Sequence, residues 1–200
     1  MAKFEPAYEK TLANEGGYSN DPNDRGGETW KGIARKMHPQ WPGFVLIDEV
    51  RKNTNKDQFV RALSVDEELD QLVQDFYKAE FWDKLMLDKI TSQDVANEIF
   101  DTAINQGSTI AIKQFQEALN LLNNNQKIYS DINEDGKMGD ATLRAHDAYM
   151  LTANFAGRSQ ERVVSTIIKL MNGLQAARYA EICENNPNQE VYFYGWVNRI

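Results

Sequence analysis

The stretch Glu15-Gly-Gly-Tyr-Ser-Asn-Asp-Pro-Asn-Asp-Arg-Gly-Gly-Glu-Thr29 decides how the rest of the chain is read. Upstream of it, Phe4, Ala7, Tyr8, Thr11 and Leu12 recur at helical spacing, so a first helix is expected to carry Glu15 at the lower end of its own apolar stripe. Gly16-Gly17 then stops the helix, because glycine enters the left-handed conformation at little steric cost. A carboxylate in the last turn meets the negative end of the helix dipole, and partial burial adds a desolvation penalty. Both disfavour the ionised form. A carboxylic acid held protonated near neutral pH is what a general acid requires. The plain alternative is that Glu15 ends a helix near solvent and the carboxylates after it cap turns.

Residues 18–32 hold Pro22, the Gly26-Gly27 pair, Gly32 and a run of Asn and Asp, a density of turn formers that predicts a tight loop or a small β-hairpin. Such a hairpin folds back towards Glu15. It offers Asp21, Asp24 and Glu28 as second carboxylates and the Thr29 hydroxyl as a holder of water. A protonated acid with a second carboxylate is the equipment of glycoside hydrolysis.

Composition narrows the alternatives. With 200 residues the chain makes one large domain or two small ones, on a prior of about 100–200 residues per domain. Hydrophobic residues make up 42%, enough for a core, and no apolar run approaches the ~20 residues of a membrane span. The start of the chain carries acidic residues where a secretory signal has its apolar region, so synthesis in the cytoplasm and release to the wall by another route are expected. A net charge of −8 argues against non-specific nucleic-acid binding. Cys183 is the only cysteine and reads as structural, and His38 and His146 lack ligand-like neighbours, so no metal site is expected.

Further along, Ile33 to Met37 reads as one or two helical turns ended by Pro39, and Ser64-Val-Asp-Glu67 has capping-box spacing ahead of Leu69, Leu72, Val73, Phe76 and Tyr77. From residue 94 the pattern is helical: a hairpin of two helices around Asn105-Gln-Gly-Ser108, a helix after an acidic loop at 131–140, and a long helix over about 159–184. The aromatic segment Glu190–Ile200 closes the chain, and no repeat of fixed period is visible. A change of character between residues 83 and 94 sets the expected regions at 1–90 and 91–200; without a Pro, Gly or Ser-rich linker, they are expected to pack together.

The run from Glu15 to Thr29 closely resembles the signature of glycoside hydrolase family 108, whose members are N-acetylmuramidases of phages and prophages. The resemblance makes Glu15 the catalytic residue. The arrangement is also similar to phage-type lysozymes, which place Glu, Asp and Thr in a helix-to-hairpin turn: Glu15 and Asp24 keep the gap of eight intervening residues, while Thr29 comes one residue sooner. Asp24 and Thr29 are therefore carried as catalytic candidates, with Asp21 competing for the role of the second carboxylate. Ile99–Gly107, Ile112–Leu119, Asp135–Leu143 and Gly195–Arg199 resemble the peptidoglycan-binding module that follows the catalytic region in this family.

These readings imply a mainly α, lysozyme-like α+β fold with a small β-hairpin and a C-terminal helical bundle. The implied activity is cleavage of the β-1,4 bond between N-acetylmuramic acid and N-acetylglucosamine in bacterial peptidoglycan, by a monomer without metal or organic cofactor. A catalytically silent wall-binding or secretion-assisting protein is the rival. Aromatic and amide side chains commonly line sugar grooves, which makes Tyr18, Trp30, Tyr77, Trp82, Asn105 and Gln106 candidates, although for each ring taken singly the core is the commoner place. Asp131, Asn133, Asp135 and Gly136 match the first half of a calcium loop, but Thr142 stands where a bidentate Glu is expected. The Asp-Gly-x-x-Gly-x-x-Thr turn implied by the resemblance explains Asp135, Gly136, Gly139 and Thr142 without an ion.

Overall fold

Apolar residues spaced by three and four fold into helices along most of the chain. The structure is a computed structural model and describes residues 1–12, 17–21, 26–155 and 157–200. Two compact units result, Tyr8–Glu80 and the combination of Met1–Ala7 with Phe81–Ile200.

The smaller unit takes up α1 (Phe4–Leu12) from Tyr8 onward and continues with three short strands, β1 (Tyr18–Ser19), β2 (Thr29–Trp30) and β3 (Ile33–Ala34). They pair antiparallel in the order β1-β2-β3, with Tyr18 opposite Trp30 and Thr29 opposite Ala34. Lys31 and Gly32 make the β2–β3 turn with φ of 42° and 82°, the double positive φ that matches strand twist in two-residue hairpins. This corrects the helical reading of Ile33 to Met37, since the turn returns Ile33 onto Trp30 before a helix can begin.

Three helices follow: α2 (Gly43–Asn53), α3 (Lys56–Ser64) and α4 (Glu67–Tyr77). The cap of α4 is Asp66, whose side chain accepts from Leu69 N at 2.9 Å, rather than Ser64. Ser64 instead ends α3 and donates its hydroxyl proton to Val60 O. The buried face of α4 is Leu69, Val73 and Tyr77, as spacing predicts. Tyr77 donates to Lys31 O at 2.8 Å, and a Cβ on Gly32 would lie 2.5 Å from the Tyr77 hydroxyl, so this glycine lets the helix reach the turn.

The larger unit is a helical bundle. A π-helical turn at Lys78–Asp83 and a 3-10 turn at Leu87–Lys89 lead into α5 (Gln93–Gln106) and α6 (Ser108–Leu122). Gly107 divides these two helices with φ of 91°. Then come α7 (Asp140–Phe155), α8 (Gln160–Asn185, capped by Ser159) and, after the 3-10 turn Pro187–Gln189, α9 (Glu190–Val197). Phe4, Trp82 and Phe100 meet edge-on with centroids 5.9 Å apart in every pair. The chain start is tied in by Gln93, which accepts from Lys3 N and donates to Lys3 O. Among the described residues, no helix is long and apolar enough to cross a membrane.

The acidic 131–140 loop is organised by Gln116, buried on α6. Its amide nitrogen shares two protons among Asp135 Oδ1, Lys137 O and Thr142 Oγ1 at 3.0–3.1 Å, and its oxygen accepts from Gly136 N. Asn123 likewise donates to Asp131 at 2.6 Å. Carboxylate oxygens that alternate spacing would turn towards an ion thus face protein donors. Gly136 has φ of 73°, and a Cβ there would come within 2.7 Å of Thr109 O. Gly136→Ala is expected to destabilise by more than ~1 kcal/mol, read as a lowered Tm in thermal denaturation.

His146 on α7 is fully buried beside Phe115, and among the described residues neither ring nitrogen has a hydrogen-bond partner; the Asp147 carboxylate lies 3.3 Å from Nδ1. Burial pushes its pKa below 6.5 despite that carboxylate. A depressed histidine favours unfolding in acid, since the unfolded chain takes the proton first. Its stability contribution is full above pH 6.5 and is lost as pH falls through the lower folded value. Unfolding followed from pH 8 to 5 should show this loss, and His146→Leu should flatten it.

Candidate active site

Four charges brace the sheet. Glu28, just before β2 and almost buried, accepts from the Tyr18 hydroxyl at 2.8 Å, from Arg35 Nε at 2.6 Å and from Arg51. Asp48 on α2 takes both terminal nitrogens of Arg35 at 2.8 and 3.0 Å, and Arg51 at 2.6 Å. Two carboxylates and two guanidiniums thereby link Tyr18 of β1, the residue after β3 and α2 in a closed ring, in which the Arg35–Asp48 pair is bidentate. Burial lowers the pKa of Arg35, but Asp48 and Glu28 outweigh it and the net shift is upward. The Tyr18 phenol is raised by burial first and by Glu28 second. Glu28, a loop carboxylate in the sequence, is held by both arginines as a structural anion.

The hydrogen bond from Arg35 holds the Asp48 carboxyl below the usual value of 3.8, and that from Lys31, 2.6 Å away, does the same for Asp70. Depressed carboxylates stabilise the fold fully above pH 3.8 and cease to do so as pH falls through their folded values. The side chains are 41% and 45% exposed, so solvent screens part of the effect. Asp48→Asn should therefore lessen the acid sensitivity of the smaller unit below about pH 4, as monitored by circular dichroism.

Of the catalytic candidates, Glu15 and Asp24 lie outside the described residues. Thr29 is half-buried at the start of β2, one residue from Glu28, and donates to Gly27 O at 3.1 Å. Asp21 is exposed just beyond β1. Tyr18 stands edge-on to Phe59 with centroids 5.0 Å apart and borders an open cleft of about 570 Å³ with Asn20, Arg51, Asn55 and Lys56. Arg51 also lies over the Phe59 ring. Among the described residues no carboxylate lines this cleft, and of its two cations Arg51 is already paired with Glu28 and Asp48. Tyr77 is buried, with its hydroxyl committed to Lys31 O. In the larger unit, Trp82 is 2% exposed within the Phe4–Phe100 cluster, and Asn105 donates to the Asp101 carboxylate and accepts from Arg199. The structure thus gathers Tyr18 and Thr29 around the brace and places Trp82 and Asn105 in the other unit. Arg35, Asp48 and Arg51 were missed by sequence reasoning, because their partners lie up to 33 residues away and no short motif marks them.

Residues 8–107 match the family described as Glycosyl hydrolase 108. The chain belongs to this family. Residues 110–200 of this glycosyl hydrolase match the family described as Predicted Peptidoglycan domain. No curated protein matches it significantly. It is similar to a solved structure, that of Brucella abortus SagA, with 22% identity over 98% of this chain and 88% of that chain and a TM-score of 0.57. At this identity the likeness concerns the fold, a mainly α, lysozyme-like α+β architecture with a small sheet and a C-terminal helical bundle. Together the two family matches make the chain a glycoside hydrolase acting on peptidoglycan.

Proposed function

We propose that this glycosyl hydrolase is an N-acetylmuramidase that cleaves the β-1,4 bond between N-acetylmuramic acid and N-acetylglucosamine, in the manner of a phage or prophage endolysin. The observation that carries the reading is the Glu15–Thr29 motif in a chain of this family, with the described ends of its loop braced by Tyr18, Glu28, Arg35 and Arg51. Glu15 protonates the glycosidic oxygen as the bond to the anomeric carbon breaks. Water attacks that carbon, helped by Asp24 or Asp21. The Thr29 proton is occupied by Gly27 O, so a water at this hydroxyl donates to it and keeps a lone pair for attack. Of the substrate-binding candidates in the smaller unit, Tyr18 with its cleft is best placed for contact and exposed Asp21 stays a candidate, whereas Tyr77 is buried; Trp82, also buried, and Asn105 belong to the other unit. Catalysis belongs to residues 1–90 and wall binding to 91–200 in this reading.

The test is digestion of purified peptidoglycan, reduction of the products and mass spectrometry. Reduced N-acetylmuramic acid at the new ends is expected. Reduced N-acetylglucosamine would make the enzyme a glucosaminidase, and new amines without new reducing ends would make it an amidase or peptidase. An absence of any cleavage favours the silent wall-binding rival.

A further inference from the structure

We propose that the cleft formed by α8, α9 and the end of α5 binds an N-acetylated sugar that carries a peptide carboxylate, the muramyl-peptide unit of peptidoglycan. The proposal rests on the peptidoglycan reading and assigns residues and ligand chemistry to the larger unit.

The cleft is open and has a volume of about 590 Å³. Its floor is aromatic. Trp196 lies 6.1 Å from Tyr192 at 25° and 5.2 Å from the buried Tyr179 at 31°, so Trp196 and Tyr192 offer a shallow ledge of nearly parallel rings, unlike the edge-on rings of the core. Helix α9 is rich in aromatic residues yet buries none of its side chains, and Tyr192 is 56% exposed. A cluster of large apolar groups left open to water marks a binding surface more often than a packing accident. Flat rings of this kind accept the apolar face of a pyranose.

Its polar groups are donors. Among the described residues, Arg178 Nε and Gln106 Nε2 are both buried without a hydrogen-bond partner, and both residues line the cleft. Unpaired buried donors are costly, and an acceptor-bearing ligand relieves that cost. Arg178 and Arg199 supply positive charge, while among the described residues no Asp or Glu lines the cleft, in a chain of net charge −8. Guanidinium forks match carboxylates in geometry as well as in sign. A neutral sugar satisfies the rings and leaves the buried Nε of Arg178 without an acceptor, and a bare peptide does the reverse. The muramyl peptide satisfies both.

Trp30, Trp41 and Trp82 are buried, so Trp196 is the tryptophan whose emission a ligand in this cleft changes. The full chain is titrated by fluorescence with N-acetylmuramyl-L-alanyl-D-isoglutamine, chitotriose and L-alanyl-D-isoglutamine. The muramyl dipeptide should change the emission and bind about tenfold or more tighter than either half-ligand, and Arg178→Gln should weaken it by about tenfold. Tyr192→Ala, at an exposed ring, should weaken it as well while the circular dichroism spectrum is retained. Equal binding of chitotriose or the free dipeptide, unchanged affinity in both folded variants, or no emission change at millimolar ligand would overturn the proposal. Cleavage of purified peptidoglycan is measured in parallel. Cleavage without muramyl-dipeptide binding sinks the cleft and spares the hydrolase, and binding without cleavage does the opposite.

Discussion

Glu15→Gln is expected to reduce peptidoglycan cleavage by about 10²–10⁴-fold while leaving thermal stability and binding of the polymer nearly unchanged. The amide keeps the size and most of the hydrogen-bonding capacity of the acid, so it preserves contacts with the glycan. It cannot supply a proton to the leaving oxygen. The loss should therefore fall on kcat rather than KM, the pattern of an interaction made chiefly in the transition state. Because the acid acts in its protonated form, wild-type activity should also decline on the alkaline side as Glu15 ionises, and no such limb should survive in the residual activity of the variant. Release of reducing ends against pH measures both effects. Equal rates for wild type and Glu15→Gln would remove Glu15 from its role.

The largest effect on stability is expected at Glu28. Its side chain is 9% exposed and receives a phenol and two guanidiniums. Glu28→Ala leaves Tyr18 without its acceptor and two arginines facing Asp48 alone, and breaking a buried ion pair from one side typically costs ~3–5 kcal/mol. The arginines are 31% and 43% exposed, so water recovers part of that and the lower end of the range is expected. In a chain of this length a loss of about 3 kcal/mol lowers Tm by about 6–12 °C. Arg51→Ala, at the more exposed corner, should cost less. The double variant should fall short of the sum, because both changes damage one network. Additive effects would show that the four charges act as separate pairs.

Local pattern made most of the helices legible. The apolar spacing of α5, α6 and α8 and the glycine between the first two appear in the structure much as they appear in the sequence. The failures have physical reasons. Ile33-Ala34 has too few residues for a strand period to show, and its state is set by the Lys31-Gly32 turn before it. Ser64 and Asp66 both stand at cap spacing, and the choice falls to Asp66 because the Ser64 hydroxyl is used within α3. At the site, the motif located Tyr18 and Thr29, but the ring of Arg35, Asp48 and Arg51 depends on partners joined only by folding. Glu28 looked like a chemical group in a linear reading, and its two guanidinium partners identify it as an anchor.

The unit Tyr8–Glu80 interrupts the other, whose first seven residues are separated from the rest of it by the whole insertion. The contacts that brace the sheet close loops of 7, 13 and 23 residues, whereas the tie between Lys3 and Gln93 spans 90. On a ribosome the inserted unit is therefore complete in sequence before its host has Gln93 with which to hold its own beginning. Short loops close at small entropic cost, and domains tend to fold as units during synthesis. The order of manufacture thus favours a braced sheet first and a helical bundle assembled afterwards around a chain start that has waited for it.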